Sequence, residues 1–268
     1  MSHFGQYLLG NEQPHAGERV ESLGALFNPS TFRHMDDIGL APGWRVWEVG
    51  AGGPGVPQWL RQRVGDTGRV LATDIDTTLL ERDLTRRYEI AQHDVGVDEP
   101  PAADFDLVHA RLVLVHVTRR VEALQTMVRA LRPGGWLLVE EADPQLQELA
   151  CPDRHGDDEQ LANKIKHAFR ELMRERGVDL AFGRTLARRL REAGCSSVVS
   201  DAYFPMGGPA CSELERLTTL QIGDQLIRSG LITDDEIRQH LENLAADRID
   251  VATSPMVSAW GRTWSTTD

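Results

Sequence analysis

Between residues 44 and 141 the chain alternates, five times over, short apolar runs of strand length with stretches whose apolar residues recur at helical spacing. The runs read WRVWEV (44–49), RVLATDID (69–76), YEIAQHD (88–94), FDLVHA (105–110) and WLLVEE (136–141). Strands joined through helices run parallel, and a parallel sheet has to be covered on both faces. The expected fold is therefore α/β, a doubly wound and mostly parallel sheet. Ligands of such sheets lie beyond the carboxyl ends of the strands, where the strand order reverses.

The flanks are helical. Val20, Leu23, Leu26 and Phe27 share one helical face before Pro29, which is expected to end that helix ahead of a second short one. Inside the alternating part, Pro57 suits the first position of a helix over PQWLRQRV, and Thr78 with Glu81 has capping-box spacing at the head of a helix running to Glu89. Beyond residue 145, helical patterns over 157–177, 182–194, 212–230 and 233–247 are interrupted by strand-like SSVVSDAYF (196–204) and followed by VATSPMVSAWGR (251–262). The expected organisation is a helical cap segment at 1–40, a cofactor-binding α/β core at 41–145 and a helical cap insertion at 146–180. The C-terminal part of the core follows at 181–268, with a helical insertion at about 212–247. A cap of that size can enclose a small-molecule pocket.

Composition narrows the partners. A formal charge of -12 over 268 residues disfavours tracking nucleic-acid phosphates, which needs surplus Lys and Arg. Three cysteines without paired spacing suggest neither a disulfide framework nor a metal site, so a cytoplasmic location is expected. The N-terminus lacks a signal-peptide pattern and no run approaches a membrane span, so no membrane partner is expected. A small-molecule substrate fits best; a homodimer is compatible with the sequence, which leaves the oligomeric state open.

The stretch EVGAGGPG (48–55) carries the chemistry. Glycine there costs conformational entropy, and it admits positive φ and close approach to the main chain. A ligand laid across a strand-to-helix turn needs both properties. A phosphate-cradling loop would end in Gly-Lys-Ser/Thr, which is absent; Gly50, Gly52 and Gly55 do satisfy dinucleotide spacing, a weak signal alone. More telling is the pair of acids at successive strand ends, Glu48 and Asp74, the second placed to accept both hydroxyls of a ribose.

With VWEVGAGGPG, GDTGRVLATDID, QHDV, FDLVHARLVLVHV and ALRPGGWLLVEEAD in this order over residues 41–143, the chain resembles the class I S-adenosylmethionine-dependent methyltransferases. The resemblance implies a Rossmann-like seven-stranded sheet, S-adenosylmethionine as cofactor and S-adenosylhomocysteine as product. By it, Gly50, Ala51 and Gly52 line the cofactor, Glu48 faces its amino-acid end, and Asp74 takes the ribose. Ile75 packs on adenine, Asp94 with Val95 meets the adenine amino group, and the backbone from His109 to Arg111 lies near the methionine part. Arg111 either pairs with the cofactor's carboxylate or forms a structural salt bridge with an acid such as Glu48; Tyr7 either closes over the cofactor or packs. One departure stands out: Gly53-Pro54-Gly55 replaces the family's usual spacing, leaving open whether Gly53 or Gly55 is the third glycine.

Methyl transfer from a sulfonium needs alignment more than a protein nucleophile. Where the acceptor is a hydroxyl or an acidic carbon, a base helps. Glu141 and Asp143, after the fifth strand and expected to face the pocket mouth, rank first; His116 and His109 follow, with His15, His34 and His167 available from the flanks. The expected activity is methyl transfer to oxygen, nitrogen or carbon of a small organic molecule such as a secondary metabolite. The alternatives are a cyclase or pericyclase retaining the cofactor structurally, and, behind it, a dinucleotide-dependent oxidoreductase.

Overall fold

In the computed structural model, residues 8–264 are described. The described residues form two compact units, one of residues 27–142, 182–203 and 256–264, the other of residues 8–26, 143–181 and 204–255. The first holds the sheet. Its strands are β1 (Arg45–Val49), β2 (Arg69–Asp74), β3 (Glu89–Gln92), β4 (Phe105–Arg111), β5 (Leu131–Ala142), β6 (Cys195–Tyr203) and β7 (Met256–Thr263). They lie in the order β3-β2-β1-β4-β5-β7-β6, all pairs parallel except those of β7, which runs antiparallel to both neighbours. The order reverses at β1 and β4, so a crevice at their carboxyl ends is the position in which ligands of such sheets are held.

Helices of this unit pack through apolar faces dictated by sequence period. In α2 (Gly55–Val64), Val56, Leu60 and Val64 are buried against Val46, Val70, Leu80 and Leu107. At about 25 cal/mol per Å² of apolar area removed from water, each such side chain contributes roughly 2 kcal/mol. α4 (Arg120–Arg129) buries Ala123, Leu124 and Met127 by the same spacing, and α6 (Leu186–Glu192) buries Leu186 and Leu190.

Three local expectations are corrected. α1 is one helix from Ala16 to Asp37 with Pro29 inside it, because the apolar face resumes at Phe32 and Met35 and pays for the hydrogen bond a proline cannot make. The helix crosses from one unit to the other between Leu26 and Phe27, so its second half belongs with the sheet. α2 begins at Gly55, two residues before Pro57. The helix expected from Thr78 to Glu89 stops at Glu81 as α3 (Thr78–Glu81), its Thr77 hydroxyl donating to the Glu81 carboxylate at 2.6 Å. Beyond it Asp83 accepts from the Thr85 amide and hydroxyl and from Tyr88 Oη, a side-chain competition with the backbone that turns the chain instead.

The second unit is built on α5 (Asp157–Glu175), α7 (Pro209–Arg228) and α8 (Asp234–Ala245). Leu8, Leu9, Ile165, Ala168, Leu172, Ile222, Leu226 and Ile237 form its core. Thr233 and Glu236 close a capping box at the start of α8. Inside, Glu215 accepts from Lys166 at 3.1 Å and lies 3.6 Å from His240; burial alone would raise its carboxyl, but Lys166 and His240 outweigh it and hold the group at about 2.

Candidate functional site

The glycine turn joins β1 to α2, and its two left-handed glycines serve different ends. Gly50 has φ +58, and a Cβ placed there would collide with the Val113 side chain. The close approach demanded at Gly50 is thus met by the protein itself. Gly52 has φ +64, and a Cβ there would meet nothing within 4 Å. Its main chain borders open space, as a ligand floor requires. Gly53 is buried and bonds back to the Ala51 carbonyl, whereas Gly55 is exposed and opens α2. Of the two, Gly53 shapes the loop.

At the end of β2, Asp74 accepts from the Gly52 amide at 2.8 Å through one oxygen and from the Asp76 amide at 3.0 Å through the other. Burial raises its carboxyl above the usual range, against the pull of those amides. The glycine turn and the ribose candidate are therefore one hydrogen-bonded piece. Ile75, next in the chain, leaves 42% of its surface exposed although apolar. Asp94 fixes its own turn by accepting from the Gly96 amide, with Val95 buried behind it.

Glu48 and His109 are register partners on β1 and β4, and His109 Nδ1 lies 2.6 Å from Glu48 Oε2. His109 is wholly buried; burial would lower its affinity for a proton, but Glu48 and Glu140 outweigh that and raise the imidazole to about 9. Glu140 on β5 accepts four times: from His109 Nε2 at 3.3 Å and Thr31 Oγ at one oxygen, from His34 Nδ1 at 3.1 Å and Ser258 Oγ at 2.7 Å at the other. Burial disfavours its charge, yet these donors hold it well below the carboxylate range. Arg111 donates to Asn28 Oδ1 and Thr31 Oγ, each at 2.9 Å, through neutral acceptors on α1; burial lowers its guanidinium from the usual value.

The base candidates sit elsewhere than expected. Glu141 and Asp143 were expected at the pocket mouth, but both are wholly buried. Glu141 Oε1 accepts from the Val113 and Leu114 amides at 3.1 and 2.6 Å, pinning the turn after β4, and burial raises its carboxyl to about 8 despite them. Asp143 lies in the other unit and binds the Leu146 amide. A carboxylate sealed from solvent and spent on backbone amides braces a loop rather than meeting an acceptor. His116 is exposed on the short 3-10 turn after β4. Tyr7 lies outside the described residues. Among the described residues, no group of three or more His, Cys, Asp or Glu is arranged to hold a metal.

Sequence reasoning missed Glu140, Asn28, Thr31, Ser258 and Val113. Glu140 was masked as one more strand residue, and the others come from distant segments with no local motif. The acid at a buried strand position was the available signal.

Residues 47–139 match the family model described as a methyltransferase domain. The chain is 34% identical over 113 residues to the ubiquinone/menaquinone biosynthesis C-methyltransferase UbiE of Laribacter hongkongensis, covering 40% of this chain and 46% of that protein. To its counterpart in Vibrio campbellii it is 35% identical over 125 residues, covering 43% and 48%. The chain thus spans about half the length of these relatives. Among solved structures, YcgJ of Bacillus subtilis superposes with a TM-score of 0.57 at 14% identity, over 88% of this chain and 99% of that one. The phosphoethanolamine N-methyltransferase 2 of Haemonchus contortus, solved with S-adenosylhomocysteine, gives 0.56 at 15% identity over 91% and 57%. These last two speak for the fold alone, and the sequence matches carry the assignment: over residues 47–139 the sheet unit holds a methyltransferase domain, similar to those of the class I S-adenosylmethionine-dependent methyltransferases.

Proposed function

We propose that this protein transfers a methyl group from S-adenosylmethionine to oxygen, nitrogen or carbon of a small organic molecule. The observation that carries the reading is the joined Gly52 and Asp74 at the strand-order reversal, an open left-handed glycine bonded to a buried carboxylate. That arrangement fits the cofactor: Gly52 admits a ligand against its main chain, Asp74 supplies acceptors for ribose hydroxyls, and the exposed apolar Ile75 suits the adenine face. Asp94 with Val95 would take the adenine edge, Glu48 the α-ammonium and Arg111 the carboxylate. When bound, the cofactor supplies a methyl group activated by its sulfonium.

The chain's own residues then bind and orient, since an in-line displacement gains most from alignment. No carboxylate of the site is available as a base, which leaves His116 as the candidate for acceptors that lose a proton. The names of the relatives favour a carbon acceptor of quinone-precursor type as the first to be tried. The net charge of -12 supports a small molecule over nucleic acid. Among the described residues no helix is long and apolar enough to cross a membrane. The three cysteines are free and buried, which supports a reducing, cytoplasmic location.

Calorimetric titration with S-adenosylhomocysteine tests the cofactor site. Gly52→Val and Asp74→Ala should each weaken binding by tenfold or more, about 1.4 kcal/mol. Binding indifferent to both variants would refute the site. Methyl counting by mass spectrometry over a panel of phenols, amines and quinone precursors then identifies the acceptor atom.

A further inference from the structure

We propose that His109 is a positioning residue: clamped between Glu48 and Glu140, it keeps Glu48 charged and oriented for the α-ammonium group of the cofactor, with His34 and Asp201 extending its support to the surface. This rests on the cofactor reading above and adds to it the residues that set the state of Glu48.

The geometry is a line of alternating acids and histidines across one face of the sheet. It runs from Glu48 on β1 to His109 on β4, to Glu140 on β5, to His34 on α1 and to Asp201 on β6. Register carries the line at its two ends, since Glu48 pairs with His109, Glu140 with Ser258 on β7, and Ser258 with Asp201, while His109 itself pairs with Leu138, two residues before Glu140. His109, Glu140 and His34 are at most 1% exposed and Glu48 is 2% exposed, whereas the Asp201 side chain is 38% exposed. The line therefore starts beneath the glycine turn and reaches solvent only at its far end.

A neutral imidazole offers one N–H donor. Both ring nitrogens of His109 face carboxylates, at 2.6 and 3.3 Å, so the arrangement requires the doubly protonated ring. A buried carboxylate without a partner takes up a proton instead of bearing its charge. Removing His109 would therefore take from Glu48 its hydrogen-bonded cation, leave only the more distant Arg111, and loosen the acid's hold on an ammonium group. At the other end Asp201 has an outer cation as well as His34: Arg33 Nη2 donates to Asp201 Oδ2 at 3.0 Å and lies 3.0 Å from His34 Nε2. Glu48 bears the same relation to His109 as Asp201 does to His34, and the cofactor's ammonium group would take the place that Arg33 has at the surface. Arg111 also faces the line, within electrostatic reach of both Glu48 and Glu140, and meets Glu140 through the Thr31 hydroxyl.

The test is S-adenosylhomocysteine affinity by calorimetry from pH 6 to pH 8 for the wild type, His109→Gln and Asp201→Asn. The wild type should change less than threefold over that range. His109→Gln should bind tenfold or more weakly at pH 6, with the loss shrinking toward pH 8, while the half-exposed Asp201→Asn should fold and show a smaller loss of the same shape. Loss that is uniform with pH, or no loss, overturns the proposal and leaves the cofactor site standing. Absence of binding in the wild type overturns both. Ring-proton and nitrogen resonances of the free wild type give a check that needs no ligand: His109 should stay charged to about pH 9, and a ring already neutral at pH 7 would refute its role even if His109→Gln fails to fold.

Discussion

Substituting Gly50 by alanine separates the two tasks of the glycine turn. At φ +58 a non-glycine residue costs about 1–2 kcal/mol in the left-handed region. The new methyl also overlaps the Val113 side chain, and overpacking of this kind costs roughly 1–3 kcal/mol. Val113 has little room to yield, since its amide and that of Leu114 are fixed to Glu141 and the preceding Leu112 is itself left-handed at φ +57. The sum is about 2–5 kcal/mol for Gly50→Ala. Gly52→Ala should cost only the backbone part, about 1–2 kcal/mol, because its Cβ meets nothing. All six tryptophans lie in the sheet unit, so urea unfolding followed by tryptophan fluorescence reads that unit selectively. Val113→Ala in the Gly50→Ala background should recover the overlap part relative to Val113→Ala alone. Equal losses for the two glycine variants, or no recovery on trimming Val113, would show that the contact with Val113 does not govern Gly50.

Other expectations follow from the same geometry. Glu141→Ala strands two buried amides and should cost about 2–4 kcal/mol in the same assay, whereas Glu141→Gln keeps an acceptor and should cost less than half as much. Stability should fall between pH 6.5 and 9. His109, raised to about 9, stabilises fully below its unfolded value near 6.5 and loses that contribution as pH rises through 9, on the order of 3 kcal/mol. Glu141, raised to about 8, loses stability in the same direction between pH 4.5 and 8, while Glu140, held low, loses its contribution only on acidification; a urea midpoint that rises from pH 6 to pH 9 would contradict this. Pro29→Ala should raise the unfolding free energy by about 1 kcal/mol or more by restoring a hydrogen bond inside α1, and a loss would mean that the chain depends on the proline's fixed φ there.

The sheet was legible because its signal is local and redundant. Each of β1, β2, β4 and β5 is an apolar run with a turn at each end, and parallel pairing follows from the intervening helices. What misled were positions where one rule met a stronger one. Pro29 reads as a stop, but burial of Phe32 and Met35 beyond it keeps α1 helical. Thr78 and Glu81 read as a capping box, but Asp83 offers the next residues another set of hydrogen bonds. Glu48, Gly52 and Asp74 were legible as a candidate site because chemistry and spacing agree within one strand-turn-strand segment. Glu141 was misread because an acid at a strand end looks alike in sequence whether it faces a ligand or a backbone amide.

The line from Glu48 to Asp201 was illegible for a different reason, and that reason bears on what it does. Its contacts join residues 61, 31, 106 and 167 apart in sequence, so no motif carries it. Apolar residues of similar volume in such a place are often as stabilising as buried ion pairs or more so, and the neighbouring positions Val46, Leu107 and Leu138 show that this sheet can be filled that way. Stability alone therefore does not account for a carboxylate at Glu48. Given a carboxylate there, however, the rest follows in order: it needs His109, the second nitrogen of His109 needs Glu140, and the second oxygen of Glu140 needs His34. The chain of requirements ends where Asp201 meets water, and it begins at the acid that closes β1 just ahead of the glycine turn.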